Sequence, residues 1–214
     1  MFPLHAVLFP GARIQLHIFE ERYREMIAFC EEHDRPFLVS LIRAGQEVGD
    51  GAEPYLVGTS AKIERVHRYP DGRLHISAVG IHRYRIRKLN EDMPYMLGQV
   101  EPVYDEESEL DSNRMDALRR RTEESFRVLL EGMLSRPDFD ISVQLPEDPT
   151  MLGFVVANFL DLENMQKQQL LECVDPGERL GMLIPLIEKQ IAEARTLHLQ
   201  RLTPEDMSEW INPN

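Results

Sequence analysis

The sequence predicts an α+β fold, with a strand-rich first half carrying one helix and a second half made of helices. Three observations lead there. Short β-like runs broken by Gly, Pro and Asp fill residues 2–104. The apolar period then changes from 2 to 3.6. The change falls on the acidic stretch Asp105-Glu106-Glu107-Ser108-Glu109-Leu110-Asp111, which reads as a solvated linker or a helix start. The expected organisation is a strand subdomain over residues 1–104, a helical subdomain over 105–200 and a polar tail over 201–214.

In the first half, Phe37 to Ile42 is apolar apart from Ser40, the pattern of a strand buried on both faces. Tyr55 to Ile63 is a second candidate, opening after Pro54. Ala61 to Tyr69 and Arg73 to Val79 alternate on either side of Pro70-Asp71-Gly72, and Gly72 supplies the positive φ of a tight turn, so a hairpin is expected. One helix interrupts the strands from Glu20 to Glu32, where Tyr23, Met26, Ile27 and Cys30 share a face.

In the second half, Met115, Leu118, Thr122, Phe126, Leu129 and Met133 form one stripe of a long helix, opposite Arg119, Arg120, Glu123 and Glu124. Asp148-Pro149 reads as N-cap and first residue of a helix carrying Leu152, Val155, Val156 and Phe159. Asp161 is a candidate cap for a third helix. Asp175-Pro176-Gly177-Glu178 resembles a capping box that opens a last helix along Leu180, Leu183, Ile184, Ile187 and Ile191, with Pro185 expected to kink it.

The 214 residues, 43% of them hydrophobic, suffice for a substantial core. Lys and Arg number 24 against 37 Asp and Glu, a formal charge of -13 that repels phosphate backbones and anionic lipid at long range. Nucleic acid is therefore an unfavoured partner. The first residues lack a cationic stretch, Pro3, Pro10 and Arg13 interrupt any signal-peptide core, and no apolar run approaches the roughly 18 residues of a membrane span. Cys30 and Cys173 suit free thiols in a reducing compartment, so the expected location is the cytoplasm.

No signature of chemistry emerges. GxxxxGK[ST], HExxH and GxSxG are all missing, and Gly45, Gly49 and Gly51 read as a loop between strands, not as a dinucleotide fingerprint. The seven histidines are scattered along the chain instead of being spaced as ligands. No metal, cofactor or catalytic residue is expected.

The opening segment runs Phe2-Pro3-Leu4, Val7-Leu8-Phe9-Pro10-Gly11, Leu16-His17-Ile18-Phe19-Glu20 and Arg22-Tyr23. It resembles the start of the Lon protease N-terminal domain family. Gly58-Thr59 with Ala61 and Ile63, then Gly80 with Arg83 and Ile86, are similar to the family's next strand motifs. Leu145 to Pro149, Lys167-Gln168, Leu170 to Glu172 and Arg179-Leu180 are similar to its helical part, so the likeness covers about residues 2–192. The resemblance implies a PUA-like twisted β-barrel followed by an α-helical bundle. It also implies a peptidase S16-like ancestry and a role in recognising unfolded or extended polypeptide. The sequence ends at Asn214, before an ATPase or protease domain could begin, so the expectation is a stand-alone, non-enzymatic module served by a separate ATPase or protease partner.

Two places are candidate surfaces. Met93, Tyr95 and Met96 form an apolar cluster after Asn90-Glu91-Asp92, and flexible methionines suit contact with varied polypeptide; a strand entering the core would explain the cluster equally. Arg83, Arg85 and Arg87 alternate along one strand face with Tyr84 and Ile86 turned away. The stripe is either an anion- or RNA-binding face or a set of cross-strand partners for carboxylates, the 105–111 run included. A small-molecule sensor is the third functional class, without a recognisable ligand fingerprint. Phe9-Pro10-Gly11, Glu20, Arg22 and Tyr23 read as turn, pairing and core residues.

Overall fold

The computed structural model describes residues 1–49, 51–90, 93–133 and 145–201. Strands come first: β1 (Phe2–Leu4), β2 (Arg13–Ile18), β3 (Phe37–Ala44), β4 (Glu53–Pro54), β5 (Val57–Arg68), β6 (Leu74–Asn90) and β7 (Leu97–Pro102), with α1 (Glu21–Glu32) between β2 and β3. The helices α2 (Ser112–Met133), α3 (Pro149–Phe159), α4 (Asn164–Glu172) and α5 (Pro176–Arg201) follow. The α+β class that the change of period predicts is what forms.

The strands make one sheet with the path β1-β3-β5-β6-β2, β4 lying beside β3 and β7 beside β6. β1 runs parallel to β3, and the other ladders are antiparallel. No ladder joins β1 to β2 among the described residues. The hairpin forms where expected, between β5 and β6, closed by Tyr69 N–H donating to the Arg73 carbonyl at 2.9 Å and turned by Gly72 at φ 86°. Because β6 is 17 residues long, one flank pairs with β5 while the other takes β2 along its first part and β7 along its last. Gly80 stands at the changeover. Its N–H donates to Ala12 and its carbonyl accepts from Gly11, both at 2.9 Å, and any Cβ there would strike the Phe9 carbonyl. The Phe9-Pro10-Gly11 turn is thus pinned to the sheet, with Phe9 fully buried.

Local chemistry sets the helix starts. Asp148 accepts from Met151 N–H at 2.9 Å, with Pro149 at the first position, as expected. Asp111 does the same for Arg114 N–H at 2.9 Å, which fixes the start of α2. Asp175 accepts from Gly177 N–H at 2.7 Å and Glu178 N–H at 3.3 Å at the start of α5, which continues through Pro185. The start of α4 departs from expectation: Glu163, not Asp161, precedes it, because the Gln166 side chain reaches back to Glu163 N–H at 3.2 Å. The polar tail beyond Arg201 and the Met133 side chain lie outside the described residues.

One hydrophobic cluster runs through both halves, from Phe2, Phe9, Ile27 and Ile76 to Phe126, Leu152, Phe154, Leu170 and Leu180. Each such side chain contributes about 1.5–3 kcal/mol through burial. Phe9 stacks on Phe154 across the join at 6.0 Å. No described helix is long and apolar enough to cross a membrane.

Candidate functional site

The most polar buried feature lies where the last strands meet the helices. Asp105, expected to be part of a solvated stretch, is instead enclosed, its side chain only 12% exposed. Arg179 donates to it through two nitrogens at 2.6 and 3.0 Å, and Arg83 donates to the same carboxylate. Arg83 also donates to the carbonyls of Leu171 at 2.7 Å and Cys173 at 2.8 Å, and Arg179 reaches the Cys173 carbonyl at 2.6 Å. Both guanidinium groups lie over the Phe154 ring, at 5.2 and 4.1 Å, and Gly153 leaves room for the Arg179 stem. Burial pushes the Asp105 carboxyl upward, yet hydrogen bonds from Arg179 and Thr150 outweigh it and hold the group below the usual aspartate value. The arrangement binds two halves together and leaves no open coordination or proton-transfer position.

The arginine stripe is therefore not a continuous exposed face. Arg83 is buried among these acceptors, Arg85 is half-buried opposite Val57 and Glu101, and only Arg87 is exposed, paired with Glu101. Alternation alone cannot anticipate this, because β6 shifts register against β7 between Ile86 and Lys88 and against β5 near Thr59 and Ala61.

The methionine cluster is arranged differently. Met93 is exposed, Met96 half-buried and Tyr95 buried at 7% exposure. With Pro3, Pro94, Tyr23 and Ala52 they line a depression of about 310 Å³, bordered by Arg22 and by Gly49 and Gly51, both at positive φ. Tyr23 is core, as expected, stacked on Phe2 at 4.1 Å, and Arg22 pairs with Glu20 at 3.0 Å. The Met1 amino group donates to the Met96 carbonyl at 2.9 Å, which ties this segment down; burial pulls that amine to about 6. Glu91 and Asp92 lie outside the described residues.

Among the described residues no three His, Cys, Asp or Glu side chains converge as a metal-ligand set. Yet histidines scattered in sequence are not scattered in space. Strand pairing sets His17 opposite His75 and His75 opposite His67. The hairpin spacing shows the second pair in the sequence, whereas the first needs the long-range β2 pairing.

Comparison with known proteins returns a consistent family. The family model described as ATP-dependent protease La (LON) substrate-binding domain matches residues 1–189. A Lon protease of Desulfovibrio desulfuricans is 26% identical over 189 residues, covering 88% of this chain and 22% of the relative. Lon protease 2 of Herpetosiphon aurantiacus is 30% identical over 191 residues, with 88% and 23% covered. The chain thus spans about a quarter of the length of the curated relatives it matches. A crystal structure of a Lon N-terminal domain protein from Xanthomonas campestris superposes with a TM-score of 0.64 at 29% identity, covering 86% of this chain and 95% of that one.

Proposed function

Since the chain belongs to the family of Lon substrate-binding domains, we propose that it binds unfolded or extended polypeptide and does no chemistry itself. The binding surface is the depression rimmed by Met93, Tyr95 and Met96. The observation that carries this reading is the contrast inside that cluster: Tyr95 is anchored in the core while Met93 stands 45% exposed above a cavity of about 310 Å³. That volume, at the small end of ligand pockets, admits one large apolar side chain of an extended segment. Thioether side chains repack around varied shapes at small cost, which suits clients without a fixed sequence.

In this reading the chain acts as an adaptor in the cytoplasm, handing polypeptide to a separate ATPase or protease. The PUA-like barrel and helical bundle of the family would serve as a rigid frame for the rim. Met93→Asp combined with Met96→Asp tests it through binding of reduced, alkylated α-lactalbumin, followed by fluorescence anisotropy. Binding should be lost while the thermal midpoint stays put. Undiminished binding by the double variant would remove the rim from consideration.

A further inference from the structure

We propose that the outer edge of β7 is a strand-addition site, along which an extended segment of client polypeptide continues from the rim as a further strand of the sheet. This rests on the polypeptide-binding reading above and deepens it, by making main-chain hydrogen bonds the means of recognition.

Among the described residues β7 has one ladder, to β6, and its other edge pairs with no strand. Two hydrogen bonds fix which main-chain groups point to that free edge. Val103 N–H donates to the Arg83 carbonyl at 2.9 Å, so Val103 faces β6. Ile86 N–H donates away from β7, to the Leu56 carbonyl at 2.7 Å, so Val100, directly opposite Ile86, also turns its main-chain groups away from β6. Alternation along β7 then points the N–H and C=O of Gly98 and Val100 outward, while Gln99 and Glu101 face β6. Neither Gly98 nor Val100 hydrogen-bonds to any other element among the described residues. The outward groups recur every second residue, about 6.8 Å apart, which is the repeat of an incoming strand. Pro102, at the next outward position, has no N–H and ends the free edge.

Folded chains blunt bare edges with charge, proline or shortness. β4 is two residues, Glu53 and Pro54; β1 is three buried residues with Pro3 at its centre; β2 carries Arg13. From Leu97 to Val100, β7 has neither charge nor proline, and every residue is exposed, Leu97 at 39% and Val100 at 43%. Its one charge, Glu101, is taken up by Arg87. Leu97 and Val100 lie on opposite faces, so an added strand gains an apolar neighbour on each side of the sheet.

Position identifies the occupant. Leu97 follows Met96 directly, so the edge begins where the rim ends. A segment with one apolar side chain in the depression can run on along β7 in the same extended conformation, and main-chain bonds accept it whatever its sequence. A second copy is the poorer occupant, because each chain carries a charge of -13 and repels its like.

Val100→Pro removes an outward N–H and no bond to β6. Anisotropy with labelled, reduced and alkylated α-lactalbumin should show binding weakened about tenfold, with the thermal midpoint unchanged. Gln99→Pro, whose N–H faces β6, should instead lower the midpoint. A short labelled peptide of alternating Val and Thr around one Phe supplies a second readout: N-methylation along one of its edges should abolish binding, and along the other should leave it intact. If Val100→Pro lowers the midpoint, this peptide pair decides alone. Parent-like binding by Val100→Pro, with Met93→Asp plus Met96→Asp still abolishing it, would overturn the edge and leave the rim standing. Equal binding of both methylated peptides would overturn it too. So would a dimer in analytical ultracentrifugation that Val100→Pro dissociates, which would assign the edge to a second copy.

Discussion

The junction around Asp105 and the rim around Met93 are built on opposite terms. At the junction every charged group is withdrawn from water and met by a partner: one carboxylate serves two guanidiniums, which also satisfy backbone carbonyls of the α4–α5 link. At the rim an apolar side chain is left in water beside glycines whose added Cβ would meet nothing within 4 Å. The first region has no freedom left to bind anything else. The second retains room and adaptable side chains, which is the physical difference between a residue that maintains the fold and one available to a client.

Five measurements sharpen that contrast. Asp105→Ala should have the largest effect, about 3–5 kcal/mol lost in urea unfolding, because it strands two buried cations. Acid should act on the same group. Its carboxyl lies below the usual aspartate value when folded, so its contribution is fully present above about pH 4 and is lost as pH falls through the folded value. Urea midpoints measured from pH 7 down to 3 should drop along that limb, and Asp105→Asn should flatten it. Asp148→Ala removes the cap of α3 and should cost about 1 kcal/mol by the same assay. Arg87→Ala breaks an exposed, solvent-screened pair with Glu101 and should leave the urea midpoint nearly unchanged. Met93→Ala should fall within about 0.5 kcal/mol of the parent while still reducing client binding. A large loss of stability from Met93→Ala would mean that the rim belongs to the core after all.

Local signals carried far. Gly72 and the alternation around it disclosed the hairpin, and Asp148-Pro149 the start of α3, because both depend on neighbours within a few residues. The stripe of α1 disclosed its buried face for the same reason. Asp105 was illegible: its partners lie 22 and 74 residues away, and an aspartate in an acidic run carries no local mark of being the one that turns inward. Of the two readings of Arg83, pairing with a carboxylate of the 105–111 run is the one that forms, with Asp105, although alternation assigns a shared face without saying that helices cover it. The histidine row was half legible, through the hairpin register joining His67 to His75, while His17 joins only through β2.

The reach of the Arg83–Asp105–Arg179 junction along the chain also has a consequence during synthesis. Arg179 follows Asp105 by 74 residues, so at about 5–20 residues per second a ribosome needs roughly 4–15 s to deliver it. Through that interval the nascent strand half has neither α5 nor the α4–α5 carbonyls to enclose Arg83, and the side of the sheet destined for Phe154 faces solvent. A holdase that engages this chain co-translationally should therefore release it only after the last helix has emerged.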